Sequence, residues 1–384
     1  MNKHIVVVVS LVLAGSCHAF ENILPLSQGL TLAHVEVNGK PHTILVTDDR
    51  GNEISGYDIS AALTLYSDPL ATFRHLGFDE INDILNDIPK ERLTTYPYEK
   101  LLSPAGTGTH HIALGLNYAE HAAEVNEQDK PFLFLKLTSP DRNTALGVAP
   151  DELLDYEAEV CARPVTDIVQ RDAQVTSVHF AFFLCGDFTD RASLIRNIDT
   201  QNMRSGKGFS QAKSKPGYFP TGPFMVIPRR PKWFVKQVEI ALWHNDQRKQ
   251  YAWASEMIWD LPEIVKRVNS AQQTHLPTHV AGQPDWFPNN RFTPDITLLT
   301  GTPSGVLMQP PGILFKIKHG TWYFLSGQFI YSEASVTEYV IEQYIDKATR
   351  AKQFLQPGDN VTIRASYLGE INVAITKANS KSGL

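Results

Sequence analysis

Apolar and polar residues alternate with period two along several short runs of this chain, and recur at helical spacing in only a few. Thr31–Val37 and Thr43–Thr47 read as strands joined through Asn38-Gly39, a strong hairpin turn. Gly51-Asn52 suggests another turn, and helical patterns follow over Ile59–Leu65 and Asp79–Ile88, the second stopped by Pro89. His111–Leu116, Lys130–Lys136, Leu153–Val160 and Val178–Cys185 then read as strands. Leu298-Leu299 runs into a Gly-rich loop, and Ala334–Phe354 carries Val336, Val340, Ile341, Tyr344, Ile345 and Ala348 on one helical stripe. Ser103–Gly108 has the composition of a linker. These runs predict a mostly β, α+β protein with a small N-terminal β-containing module over 20–105 and a larger domain over 106–384.

The first residues stand apart from this pattern. Lys3 precedes the uncharged run Ile5–Leu13, and small residues at Cys17 and Ala19 precede Phe20. That predicts a secretory signal peptide over 1–19 and a periplasmic or secreted mature protein with no stable membrane span. A lipoprotein anchored at Cys17 ranks below soluble export. A formal charge of −6 and 20% charged residues describe an ordinary globular protein, and no basic stripe recommends a nucleic acid partner. After processing, Cys161 and Cys185 are the remaining thiols, too few for a disulfide scaffold.

Candidate chemistry concentrates after residue 110. In Leu153-Leu154-Asp155-Tyr156-Glu157-Ala158-Glu159-Val160, period two puts Glu157 and Glu159 on one face. Like charges on an inward face call for a cation between them, and a hard divalent ion takes oxygen ligands. The alternative is a solvated edge strand. Asp187, at the mouth of the next apolar run, is a natural third ligand. Asn117 with Glu120 three residues on has a capping-box pattern, which predicts a short helix carrying His121 and Glu124 on one face. A carboxylate beside an imidazole suits a general base, although a lone pair of this kind is more often a surface feature. The loop Thr300-Gly301-Thr302-Pro303-Ser304-Gly305 would let backbone amides approach a ligand oxygen.

In order, GLNYAEHAAE, PFLFLK, LDYEAEV, GDFTDRA, AKS, FPTGP, LLTGTPSGV and QPGDNVTI resemble the fumarylacetoacetate hydrolase family, from about His111 to Thr376. The resemblance implies mixed β-sheets in a roll or barrel around the active site. It implies Mg2+ or Mn2+ on Glu157, Glu159 and Asp187, and a water-activating dyad of His121 and Glu124 on a lid-like segment. Lys213 of AKS would hold the substrate and its developing oxyanion, while Arg191, Gly301, Thr302 and Tyr118 would line the substrate pocket. Chelation of a 2-oxo acid stabilises an enolate, so the implied activity is hydrolysis of a C–C bond in a diketo acid or acylpyruvate-like substrate. Decarboxylation, isomerisation or hydration of a 2-oxo acid would use the same groups, and a non-catalytic ligand-binding relative is the rival of another class. A homodimer is expected. Two departures stand out: Ala192-Ser193-Leu194 follow Arg191 where many members carry polar groups, and an insertion occupies about 307–355. That insertion reads as a lid, a subunit contact or plain packing.

If Glu159 and Asp187 lie opposite one another on antiparallel strands, Cys161 lies opposite Cys185. The expectation is two buried thiols, because cross-strand disulfides are strained.

Overall fold

The computed structural model describes residues 20–87, 92–125, 131–142, 144–169, 178–199, 201–202, 205–273 and 291–378. The expected signal peptide lies outside them, as does the Ile88-Pro89 helix stop.

A mixed sheet of 11 strands forms the backbone of the molecule. Its order is Thr94–Pro97, Glu53–Asp58, Lys40–Asp49, Gly29–Val37, Phe224–Pro228, Phe180–Gly186, Ala158–Pro164, Leu298–Leu299, His111–Gly115 and Phe132–Lys136, with Leu101–Leu102 paired beside Gly29–Val37. A second sheet of five strands runs Gln247–Trp253, Glu239–His244, Asn360–Ala365, Gly369–Lys377 and Ala145–Val148. Among the described residues the sheets do not close into a barrel. The expected hairpin forms, with Val37 opposite Lys40 and both turn residues, Asn38 and Gly39, at positive φ. Its strands continue the same sheet as the site-bearing strands, Gly29 pairing with Pro228 and Ala33 with Phe224.

The Ala158–Pro164 and Phe180–Gly186 strands are buried along their whole length. Period two divides their side chains between two cores. Val160, Ala162, Phe182 and Leu184 face one, and Cys161, Phe183 and Cys185 face the other. Glu159 and Cys161 therefore share a face. The register differs from the expected one. Glu159 stands opposite Cys185 and Cys161 opposite Phe183, while the Asp187 N–H donates to the Glu157 carbonyl at 2.9 Å. The two cysteines are thus diagonal, and they are bonded as a disulfide with Cα atoms 5.9 Å apart, which corrects the expectation of free thiols. Strand twist shortens one diagonal of a same-face pair, so a bridge does not need directly opposite partners.

Two helical readings change in detail. The Ala119–Glu124 helix is preceded by Tyr118, with no side-chain cap, so Asn117 does not start a capping box. Asn117 instead ties two distant segments: its amide donates to Thr300 O at 2.7 Å and Trp259 O at 3.2 Å, and its Oδ1 accepts from Trp259 N–H at 2.7 Å. The amphipathic helix runs Val336–Arg350, opened by a capping box of Ser335 and Glu338. Its Tyr344, Ile345 and Ala348 pack with Leu153, Ala192 and Phe354. The insertion adds helices Ile313–Leu325 and Gln328–Tyr331, on which Leu314, Leu325 and Tyr331 are exposed.

Candidate functional site

Glu157 lies in the break between the short strand Leu154–Asp155 and the strand starting at Ala158. Asp187 follows the end of Phe180–Gly186 directly. Main-chain pairing of these two residues sets their carboxylates side by side, and Glu159, one step along the same face, joins them. One oxygen from each of Glu157, Glu159 and Asp187 lies within 4.8 Å of the other two. All three are buried.

Three cations surround these carboxylates. Lys213, at the end of the Phe209–Lys213 helix, places Nζ 2.7 Å from Glu157 Oε2 and 2.8 Å from Asp187 Oδ2. Lys136 donates to Asp187 Oδ1 at 2.6 Å. Arg191 donates through Nη2 to Glu157 Oε1 at 2.7 Å and through Nε to Asp155 Oδ2 at 2.8 Å. Burial pushes the Glu157 carboxyl up, but Lys213 and Arg191 outweigh it and hold that carboxyl at about 2. Burial lowers the Lys136 ammonium despite its contact with Asp187. Lys213 is raised, because Asp187 and Glu157 overcome its burial.

Glu159 has no such support. Its Oε2 accepts from Gly301 N–H at 2.7 Å, while Oε1 is buried with no hydrogen-bond partner among the described residues. Burial, with Asp187 and Glu157 beside it, pushes its carboxyl well above the usual range. Asp155, Glu157, Glu159 and Asp187 against Lys136, Lys213 and Arg191 leave one formal negative charge in this buried set. An orphaned carboxylate oxygen among converging carboxylates fits a hard divalent cation.

His121 and Glu124 sit on one face of their helix, Nδ1 to Oε2 at 3.2 Å. Both Glu124 oxygens accept from Gly305 N–H at 3.1 Å. Gly305 has φ +106°, and a Cβ there would meet Lys249 O at 1.9 Å, so only glycine brings this amide to Glu124. A carboxylate on Nδ1 selects the tautomer with its proton there and leaves Nε2 as the basic nitrogen. His121, Glu157, Arg191, Lys213 and Thr302 line one cavity of about 910 Å3; Glu159 and Asp187 converge with Glu157 but are not part of that lining.

The other expected pocket residues divide. The Thr302 hydroxyl donates to Ala158 O at 3.0 Å and accepts from Gln250 at 2.9 Å while lining the cavity. Gly301 serves Glu159. Tyr118, expected at the substrate, packs in the main core and is not part of the cavity lining, although it lies within electrostatic reach of Glu159. Sequence reasoning assigned no role to Lys136, Asp155 or Gln250. Asp155 accepts from Leu307 N–H at 2.9 Å and Met308 N–H at 3.1 Å besides holding Arg191, so it ties the start of the insertion to the site. An aspartate inside an otherwise apolar run was the available signal for Asp155, whereas Lys136 ends its strand.

Residues 110–376 match the fumarylacetoacetate (FAA) hydrolase C-terminal family. Curated relatives include a mitochondrial oxaloacetate decarboxylase of Dictyostelium discoideum, 29% identical over 218 residues, covering 55% of this chain and 88% of that protein. A 4-hydroxyphenylacetate degradation bifunctional isomerase/decarboxylase of Escherichia coli is 23% identical, covering 62% of this chain and 49% of that protein. Among solved structures, a fumarylacetoacetate hydrolase from Exiguobacterium antarcticum superposes with a TM-score of 0.55 at 17% identity, over 91% of this chain and all of that one. A 2-hydroxyhepta-2,4-diene-1,7-dioate isomerase from Mycobacterium marinum gives 0.53 at 16%, over the same shares. Fold, site-bearing strands and family match agree, and the chain belongs to the fumarylacetoacetate hydrolase family.

Proposed function

We propose that this chain is a divalent-cation-dependent enzyme of 2-oxo acids, and that its reaction is hydrolysis of the C–C bond in an acylpyruvate or related diketo acid. The observation that carries this reading is the His121–Glu124 dyad opening on the same cavity as Glu157. Mg2+ or Mn2+ held by Glu157, Glu159 and Asp187 would supply a Lewis acid for the 2-oxo acid head. His121 Nε2 takes a proton from water as the oxygen adds to the distal carbonyl carbon. Glu124 stabilises the imidazolium. The bond to the methylene carbon then breaks, its electron pair stays with the pyruvyl fragment, and His121 returns the proton to that carbon. Lys213 and Arg191 balance the negative charge that develops, and Thr302 bounds the head of the substrate.

A second reading is decarboxylation or tautomerisation of oxaloacetate, favoured by the names of the curated relatives. It uses the same groups, with the substrate carbon in place of water as His121's partner. Purified protein with Mg2+ or Mn2+ should release pyruvate and a carboxylic acid from acylpyruvates. Release of CO2 from oxaloacetate, or its enol–keto exchange, without acylpyruvate cleavage would establish the second reading, and inertness in all three assays, with metal bound, would exclude an enzyme of this class. Replacement His121→Ala should lower turnover by roughly 10^2–10^4 with metal affinity retained.

Export to the periplasm or medium belongs to this proposal, supported by the Cys161–Cys185 disulfide, which suits an oxidising compartment. So does a homodimer, supported by apolar side chains such as Leu314 and Leu325 standing in water. Sedimentation at micromolar concentration tests it, and a monomer there excludes it.

A further inference from the structure

The cavity that begins at His121 and Glu157 extends well past them. Its volume of about 910 Å3 lies near the top of the range for small-ligand pockets, roughly 300–1,000 Å3. A 2-oxo acid head fills a small part of that space. Beyond the polar end, one wall is aromatic. Phe209 packs against Phe132 and Phe134 with ring centroids 4.9 and 5.3 Å away. The insertion supplies another wall through Met308, Val340 and Ile341.

The charges on this lining are few and mostly committed. Arg191 is held by Asp155 and Glu157, and Lys213 by Glu157 and Asp187. The remaining ammonium, Lys316, is exposed on its helix. A second carboxylate on the substrate would leave water for a wall of phenyl rings and aliphatic side chains, facing only the committed Arg191 and Lys213 and the solvent-exposed Lys316, at high cost. Oxaloacetate and the heptadiene-dioate named for the relatives above both carry such a second carboxylate. An aliphatic chain faces no such penalty there and gains from leaving water.

We propose that the substrate is a 2-oxo acid with an extended apolar tail, its head at Glu157 and His121 and its tail between Phe134 and Val340. This rests on the 2-oxo acid reading above and adds the class of the tail. The test is calorimetric binding of pyruvate, 2-oxooctanoate and oxaloacetate to the full chain with Mg2+, beside kcat/KM for acylpyruvates of increasing acyl length. Each buried methylene is worth about a fourfold gain, so 2-oxooctanoate should bind at least about a hundredfold tighter than pyruvate. Val340→Asp should reduce that preference at least tenfold, whereas Ile317→Asp, on the exposed side of its helix, should keep the wild-type ratio. Equal binding of pyruvate and 2-oxooctanoate, or tightest binding of oxaloacetate, overturns the tail and leaves the 2-oxo acid reading standing. If none of the three acids binds with Mg2+ present, that reading falls and the tail with it.

Discussion

Glu159 is the residue whose surroundings ask most for something else. Its neighbours have ammonium or guanidinium partners, but its Oε1 has none. Glu159→Gln keeps the shape, and Gly301 N–H can still donate to the amide oxygen. The variant should lose at least about a hundredfold in Mg2+ or Mn2+ affinity, while its metal-free form melts no lower than wild type because a buried unpaired charge is gone. Calorimetry and thermal unfolding read the two effects, and unchanged metal affinity would remove Glu159 from the ligand set. His111 makes a second, independent case. Its Nε2 stands 3.0 Å from Gly108 O, and Thr297 N–H donates to its Nδ1 at 3.2 Å, an arrangement that requires the neutral ring. Burial pushes it down to about 3. A depressed folded value means that the unfolded chain takes up the proton first. The stability contributed is therefore complete above pH 6.5 and lost as the pH falls from there toward 3, about 2 kcal/mol of it by pH 5. His111→Gln should show a shallower loss of urea stability between pH 7 and 5, and parallel slopes would refute the assignment. At this scale the carboxylate triad was legible because like charges on one apolar strand face need a cation. Asp155 was not, since its guanidinium partner lies 36 residues away. Lys136 was not, because a lysine ending a strand reads as its solvated end.

Element boundaries explain the misread register. Leu153–Val160 looks like one strand by period, but pairing breaks at Tyr156 and Glu157. Sharing a cation suggested that Glu159 faces Asp187 directly. The actual opposite pair is Glu157 with Asp187, and Glu159 reaches the site along its own strand. Convergence needs a common face, not a common rung, so the meeting of the three carboxylates was predictable and the rung was not. The same offset turned the cysteines into a diagonal pair that is nevertheless bonded. Their bridge spans 24 residues, for which loop-closure entropy gives about 3 kcal/mol of stabilisation. The double variant Cys161→Ala with Cys185→Ala should show that loss in urea unfolding, and a difference under about 1 kcal/mol would mean that the strands hold the loop closed without it. In the insertion, the stripe on Val336–Arg350 was legible from its period, and Tyr344, Ile345 and Ala348 are indeed its buried members. The preceding helix Ile313–Leu325 was not, because its apolar residues run almost all round and define no face.

The whole molecule turns on how its N-terminal strands join the rest. A linker composition at Ser103–Gly108 suggested a separable module, and the family match itself begins at residue 110. Yet Gly29–Val37 pairs with Phe224–Pro228 over five residues, in the same sheet that carries Glu159 and leads to Asp187. Leu30 and Leu32 share a core with Val165, Ala181, Met225 and Ile227, and Ala33 and Val35 share another with Phe224. Residues 106–384 alone would expose both sets of apolar side chains and leave the Phe224–Pro228 strand with an open edge, a template for intermolecular pairing. Phe224–Pro228 also flanks Phe180–Gly186, whose end positions Asp187. Expression of 106–384 without the N-terminal strands should therefore give aggregated protein or a chain lacking cooperative unfolding, and metal affinity should be lost with it. A soluble fragment that unfolds in one transition and binds Mn2+ as the full chain does would show that the first strands are an accessory layer, and that the boundary suggested by the linker is a true domain boundary.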